Sequence, residues 1–182
     1  MTPADADLVA RVLVHDDRHA FATLVRNHQS PVRLFLRRLC RDDALADDLA
    51  QETFVRVWRH LGSWRREARF QTWLFQVAYN LFLSELRRRR PTEALSADGE
   101  AVDAVQAPRG DAVHLQHDVA HALAVLSLDE RAAITLCFQH GLTHQEAAEV
   151  LAMPLGTVKT HVLRGREKLR KRLGAWEGAG AP

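Results

Sequence analysis

GLTHQEAAEVLAMPLGTVKTHVLRGREKLRKR, residues 141–172, reads as two helices joined by a tight turn. Thr143 and Glu146 form a T-x-x-E capping box, so the first helix opens at His144. Ala147, Ala148 and Leu151 face inward, and the two alanines permit a close helix crossing. Met153-Pro154 marks the turn. On the second helix Leu155, Val158, Val162, Gly165 and Leu169 form the buried stripe. Its opposite side shows Thr157, Thr160, His161, Arg164 and Lys168, with Lys159 nearby and Lys171 beyond. Residues 156–172 carry seven Lys/Arg against one Glu. A charge run alone would be a solvated face of a bundle helix. Capping box, short turn and a one-sided basic second helix together are what contacts in a DNA major groove require.

The 182 residues allow one domain or two small ones, with an ordinary 47% hydrophobic and 26% charged content. The net charge of +2 conceals an uneven distribution. Residues 1–60 balance, 61–90 carry +5, 91–130 carry −7 and 131–182 carry +4. Two basic blocks flanking an acidic one make two separate candidate nucleic-acid surfaces. Cys40 and Cys137 lie too far apart in sequence to suggest a zinc motif or a disulfide framework, so a reducing cytoplasm is expected. No signal segment opens the chain, and the longest charge-free run, Phe70–Ser84, is too short and too polar to span a membrane. A soluble protein without membrane insertion is the expectation.

Apolar residues recur at helical spacing throughout. Thr2-Pro3 and Ser30-Pro31 each read as an N-cap followed by a first-turn proline, the second opening PVRLFLRRLC. The next predicted helix, 43–60, stripes Ala46, Ala50, Phe54 and Val57, continuing to Leu61, beside Asp47, Asp48, Gln51 and Glu52. GSWRREARF follows as a loop, and a long helix from about Gln71 to Arg89 turns Leu74, Val77, Ala78 and Leu81 inward. Residues 91–117 are acidic, small and almost free of aromatics, so a flexible linker is expected there. Helical pattern resumes at Asp118 and continues to about Ala175. The expected architecture is all-α: a helical domain over 1–90, the linker over 91–117, a second helical domain over 118–175 and a disordered tail over 176–182.

The 141–172 segment resembles both the helix-turn-helix of LuxR-type regulators and region 4 of sigma factors. DDLAQETFVRVWRHL and FQTWLFQVAYNLFLSELRRRRP upstream separate the two, because they are similar to region 2 of the extracytoplasmic-function (ECF) sigma factors of the sigma-70 family. With ALAVLSLDERAAITLCFQHGLTHQEAAEVLA downstream, the resemblance covers about 10–90 and 118–173 in family order. It implies an RNA polymerase sigma factor that reads −35 and −10 promoter elements and initiates transcription without catalysing a reaction.

The resemblance also implies roles for particular residues. Asp48, Leu49, Gln51, Glu52, Val55 and Trp58 would meet the clamp helices of the polymerase beta-prime subunit, and the second domain would meet the beta flap. An acidic strip beside exposed apolar residues suits a partly basic helical partner. Trp64, Arg65, Arg66, Arg69, Phe70, Tyr79, Asn80, Arg87 and Arg88 would melt and read the −10 element, aromatics stacking on unpaired bases and arginines holding phosphates. Trp64, in the loop, is the better stacking candidate, and Trp73 reads as core. Tyr79 stands where many relatives carry a small or basic residue. Thr157, Lys159, Thr160, His161, Arg164, Lys168 and Lys171 would read the −35 element. The 27-residue linker, reaching roughly 90 Å when extended, would thread a basic polymerase channel. An anti-sigma protein is implied as a regulator.

Two rivals predict other features. A LuxR-like regulator needs a ligand-binding first domain, and no strand pattern is present. An enzyme needs a nucleophile–base pair or a cofactor motif, and none is found. His114, His117 and His121 could share one helical face, but apart from Asp118 no cysteine or carboxylate cluster joins them, so neither metal nor cofactor is expected.

Overall fold

The computed structural model describes residues 3–40, 42–89 and 122–177. The segment read as a linker, the whole His114/His117/His121 set and the tail from 178 lie outside the described residues. Seven α-helices are described: α1 (Pro3–His15), α2 (Arg18–Cys40), α3 (Asp43–His60), α4 (Phe70–Arg89), α5 (Leu128–Ile134), α6 (His144–Leu151) and α7 (Leu155–Glu177). No strand occurs among the described residues.

Helix α1 starts at Pro3, as a first-turn proline dictates. Ser30-Pro31, by contrast, starts nothing. Helix α2 runs unbroken through Pro31. Proline there removes one helical hydrogen bond, yet Leu24, Val32, Phe35, Leu36 and Leu39 are all buried on the same helix. Burial on both sides of the proline holds the two halves together. Helix α3 is N-capped by Asp42, whose carboxylate accepts from the Leu45 N–H at 3.1 Å.

The first unit packs α2 against α1, α3 and α4. Phe35 meets Phe75 edge-on at 5.2 Å, and Trp64 meets Phe70 at 5.6 Å. His28 Nε2 lies 3.1 Å from the buried Asp5 carboxylate and its ring abuts Phe70, so α1, α2 and α4 join at one point.

The second unit packs α5 and α6 on α7. Ser127 and Glu130 form a reciprocal capping box on α5. Gly165 is buried where α7 crosses α5; a Cβ there would come within 2.9 Å of Ile134 Cγ1. After α5 the chain widens into a π-helical turn, Thr135–Gln139. Gly141 then takes φ +68°, a left-handed conformation suited to glycine, and sends Leu142 back into the core.

The two units are not separate. Helix α4 packs on α6, and α2 packs on α5 and the π-helical turn. One continuous core runs through both.

Candidate nucleic-acid interface

Helices α6 and α7 form the helix-turn-helix expected from residues 141–172. The Thr143 hydroxyl accepts from the Glu146 N–H at 3.2 Å, and Glu146 Oε2 accepts from the Thr143 N–H at 2.8 Å. Burial alone would raise the Glu146 pKa; the Thr143 donors and nearby Arg69 hold it below the ordinary value. Ala152 closes α6 in the left-handed region at φ 52°, and the Met153 N–H donates to the Ala148 carbonyl at 3.1 Å. This turn sets the angle between the helices. Val158, Val162 and Gly165 then face inward, while Thr157, Lys159, Thr160, Arg164 and Lys171 are exposed and His161 is half-buried.

Lys168 departs from that assignment. Its Nζ lies 2.8 Å from the Glu130 carboxylate, whose side chain is only 6% exposed. Burial alone would raise the Glu130 pKa, but the Lys168 ammonium and the Ser127 donors outweigh it and hold the pKa below the ordinary value. A buried carboxylate needs a cation, so Lys168 neutralises the α5–α7 contact instead of standing ready for phosphate.

On α3, Asp48, Gln51, Val55 and Trp58 are exposed and Glu52 is half-buried. Trp58 is 38% exposed, its ring edge held against Phe21 at 4.8 Å, so its orientation is set before any partner arrives. Glu52 pairs with Arg56 along the helix at 3.1 Å. Leu49 does not belong to this surface: it is 7% exposed and faces the core.

The loop before α4 corrects the reading of the aromatics. Trp64 is 6% exposed, its indole N–H donating to the Ala68 carbonyl at 3.1 Å. That bond and the Phe70 contact fold the loop back over the tryptophan. Phe70 and Tyr79 are 1% and 2% exposed, so neither offers a free face for a base. Burial, with the Asp129 charge adding to it, pushes the Tyr79 phenol up to about 12. Trp73, read as core, is only partly buried. The ranking of the tryptophans is reversed because loop position says nothing of which way a ring turns. Arg65, Arg66, Asn80 and Arg87 are exposed. Arg88 is exposed but forks onto Glu85 at 2.8 and 2.9 Å, which Arg89 also approaches. These arginines hold the Glu85 carboxyl down at about 2.

The family model for sigma-70 region 2 matches residues 24–92, and that for sigma-70, region 4 matches 116–169. The ECF RNA polymerase sigma-E factor of Haemophilus influenzae is 33% identical over 182 aligned positions, covering 93% of this chain and 95% of the relative. The RNA polymerase sigma-H factor of Pseudomonas aeruginosa is 32% identical, covering 93% of each. The chain belongs to the ECF sigma factors of the sigma-70 family.

Among solved structures, CnrH in complex with the cytosolic domain of CnrY aligns with a TM-score of 0.71 at 28% identity, covering 94% of this chain and 98% of that one. The sigma factor RpoE in complex with the anti-sigma factor NepR from Bartonella quintana aligns with a TM-score of 0.68 at 27% identity, covering 85% and 96%. In this sigma factor, α3 and α4 fall within the region 2 match, and α5, α6 and the first part of α7 within that of region 4. The family assignment does not favour the LuxR reading.

Sequence reasoning missed the surfaces that join the regions. Arg69, read as a DNA contact, lies 3.4 Å from Glu146 across the junction. His140, read for nothing, sits against Phe75 at 4.6 Å and Phe35 at 6.1 Å. Gly141 immediately after it, a turn signal, was the available cue. Phe138, 61% exposed with the Arg166 guanidinium 5.8 Å above its ring, and Leu163 at 58% are exposed apolar side chains of region 4.

Proposed function

We propose that this sigma factor binds core RNA polymerase through α3, carries it to promoters by placing α7 in the major groove of the −35 element, and opens the −10 element along α4. The observation that carries the reading is the conjunction, on one chain, of an acidic-apolar strip on α3 with an exposed basic-polar face at the start of α7. Asp48, Gln51, Glu52, Val55 and Trp58 dock on the beta-prime clamp helices, with Trp58 as the preset anchor. The exposed Phe138 and Leu163 of region 4 meet the beta flap. Thr157, Lys159, Thr160, His161, Arg164 and Lys171 face DNA, the cations holding phosphates and the remainder reaching base edges. Arg65, Arg66, Arg69, Asn80, Arg87 and Arg88 track the −10 strand. Trp73 is the accessible ring at the head of α4, and Tyr79 serves only once its cover is lifted.

The chain catalyses nothing itself and works in the cytoplasm. Because the structural relatives CnrH and RpoE are held by CnrY and NepR, an anti-sigma protein is the expected regulator here too. Run-off transcription with purified core polymerase on genomic promoters tests the reading. Promoter-specific transcripts that depend on the added chain are expected, and Trp58→Ala should demand roughly tenfold more chain for the same signal. No specific transcript from folded protein rejects the proposal.

A further inference from the structure

The exposed strip on α3 has a regular spacing. Asp48, Gln51, Val55, Trp58 and Gly62 follow one another at steps of three, four, three and four, the seam spacing of paired helices, and all five are exposed. At 1.5 Å per residue the seam is about 21 Å long, so a partner helix of four turns lying in it passes Trp58 and reaches Gly62. Gly62 sits in a short 3-10 turn, Leu61–Ser63, against which α1 packs.

At that end the surface changes character. A Cβ at Gly62 would lie 3.8 Å from Leu13 Cδ2, so Leu13 of α1 borders the glycine while remaining 51% exposed. Trp58 meets Phe21 of α2 edge-on, and the two rings line, with Arg18, an open recess of about 340 Å3. Arg18 is exposed and has no ion pair among the described residues. The same is true of Arg59, one helical turn on from Val55. Asp17 beside Arg18 is engaged: it accepts from Arg11 Nη2 at 2.6 Å and from the Ala20 N–H at 3.0 Å, capping α2. Exposed Asp16 is outnumbered by the two guanidiniums. The strip is thus acidic at Asp48 and basic where α1 and α2 meet it.

We propose that the core-polymerase contact continues past Trp58 onto the corner formed by Leu13, Arg18 and Phe21, and that this corner takes an acidic, partly apolar end of the polymerase helix seated along α3. The proposal rests on the assignment of α3 to core polymerase made above. Continuity selects the occupant, because a helix in the seam cannot reach Gly62 without meeting Leu13. Charge selects its chemistry. A carboxylate entering the recess meets the free Arg18 guanidinium beside the Trp58–Phe21 pair, while Leu13 covers apolar carbons next to it. The two-signed strip also fixes which way round the partner lies: its cationic end at Asp48, its anionic end at Arg18. The reverse orientation would set like charges together at both ends.

The test uses the full chain and core polymerase. A benzophenone side chain is placed at Leu13, and separately at Val55, and photolysed in the holoenzyme. Both positions should give adducts with the beta-prime subunit. An adduct from Val55 and none from Leu13 overturns the extension and leaves the α3 strip standing; no beta-prime adduct from either position fails the strip itself. An adduct from Leu13 to DNA, to another polymerase subunit or to a second copy of this chain also overturns the extension. Arg18→Glu then reads the charge. Glutamate in the first turn of α2 is favoured by the helix dipole, and Arg18 has no ion pair to lose, so the fold is kept. Affinity of R18E for core polymerase should fall about fivefold at roughly 0.1 M salt, and the gap should close near 1 M. Leu13→Gln should weaken binding about fivefold at either salt concentration, since it removes apolar contact. Wild-type affinity in R18E, or a gap that survives high salt, overturns the acidic occupant. Wild-type affinity in L13Q overturns the apolar contact.

Discussion

Ala152 closes the first helix of the DNA-binding motif in a conformation that costs an L-residue about 1 kcal/mol. Its side chain is exposed and contributes no packing to offset that cost. Ala152→Gly should therefore stabilise region 4 by about 1 kcal/mol, read as a higher urea midpoint at unchanged slope. Lys168 tests the opposite kind of site. Removing it strands the buried Glu130 carboxylate, so Lys168→Ala should cost about 2 kcal/mol of stability in addition to any change in DNA affinity. The pH dependence has a defined sign. The Glu130 pKa is lowered on folding, so its contribution is present above the ordinary glutamate value of about 4.3 and is lost as pH falls through the lowered folded value. The stability gap between wild type and Lys168→Ala should close on acidification through that window. A gap that persists unchanged in acid removes the pair as its cause.

At the scale of elements, periodicity located most helices because burial repeats with the helical turn. The reading of 43–60 agrees with α3 (Asp43–His60), and the long helix begins one residue before its expected start. Local punctuation was less dependable. Ser30-Pro31 carries a helix-start signal, but the apolar residues on either side belong to a single buried face of α2. Proline inside a helix costs about 3 kcal/mol, so Pro31→Ala should stabilise region 2 by roughly 1–3 kcal/mol, measured by thermal or urea unfolding. A destabilised variant would mean that the missing hydrogen bond is compensated by a bend that α2 requires. The π-helical turn was illegible for a related reason. One extra residue per turn has no signature in polarity, and its effect, the outward aim of His140, exists only against another element.

Across the whole molecule, the packing of region 2 on region 4 depends chiefly on apolar burial, because the Arg69–Glu146 pair is half-exposed on the arginine side and exposed pairs contribute at most about 1 kcal/mol. Raising salt from roughly 0.1 to 1 M, which shortens the screening length to about 3 Å, should leave the scattering radius of the wild-type chain unchanged. Expansion with salt would make the Arg69–Glu146 pair, rather than apolar burial, the dominant contact. Much of the site was legible: the basic face of α7 and the acidic-apolar strip of α3 are solvent-facing stripes, and a stripe is a property of spacing. What spacing did not show is burial and pairing: Trp64, Phe70, Tyr79 and Leu49 turn inward, and Arg69 and Lys168 are paired with Glu146 and Glu130. The all-helical class, the helix-turn-helix with its capping box and the family can be read without coordinates, since each rests on local pattern or ordered motifs. Which side chains remain free to meet a partner, and the packing of the two regions on each other, are set by the folded chain. Availability depends on what arrives from distant parts of the chain, and neither spacing nor composition carries that information.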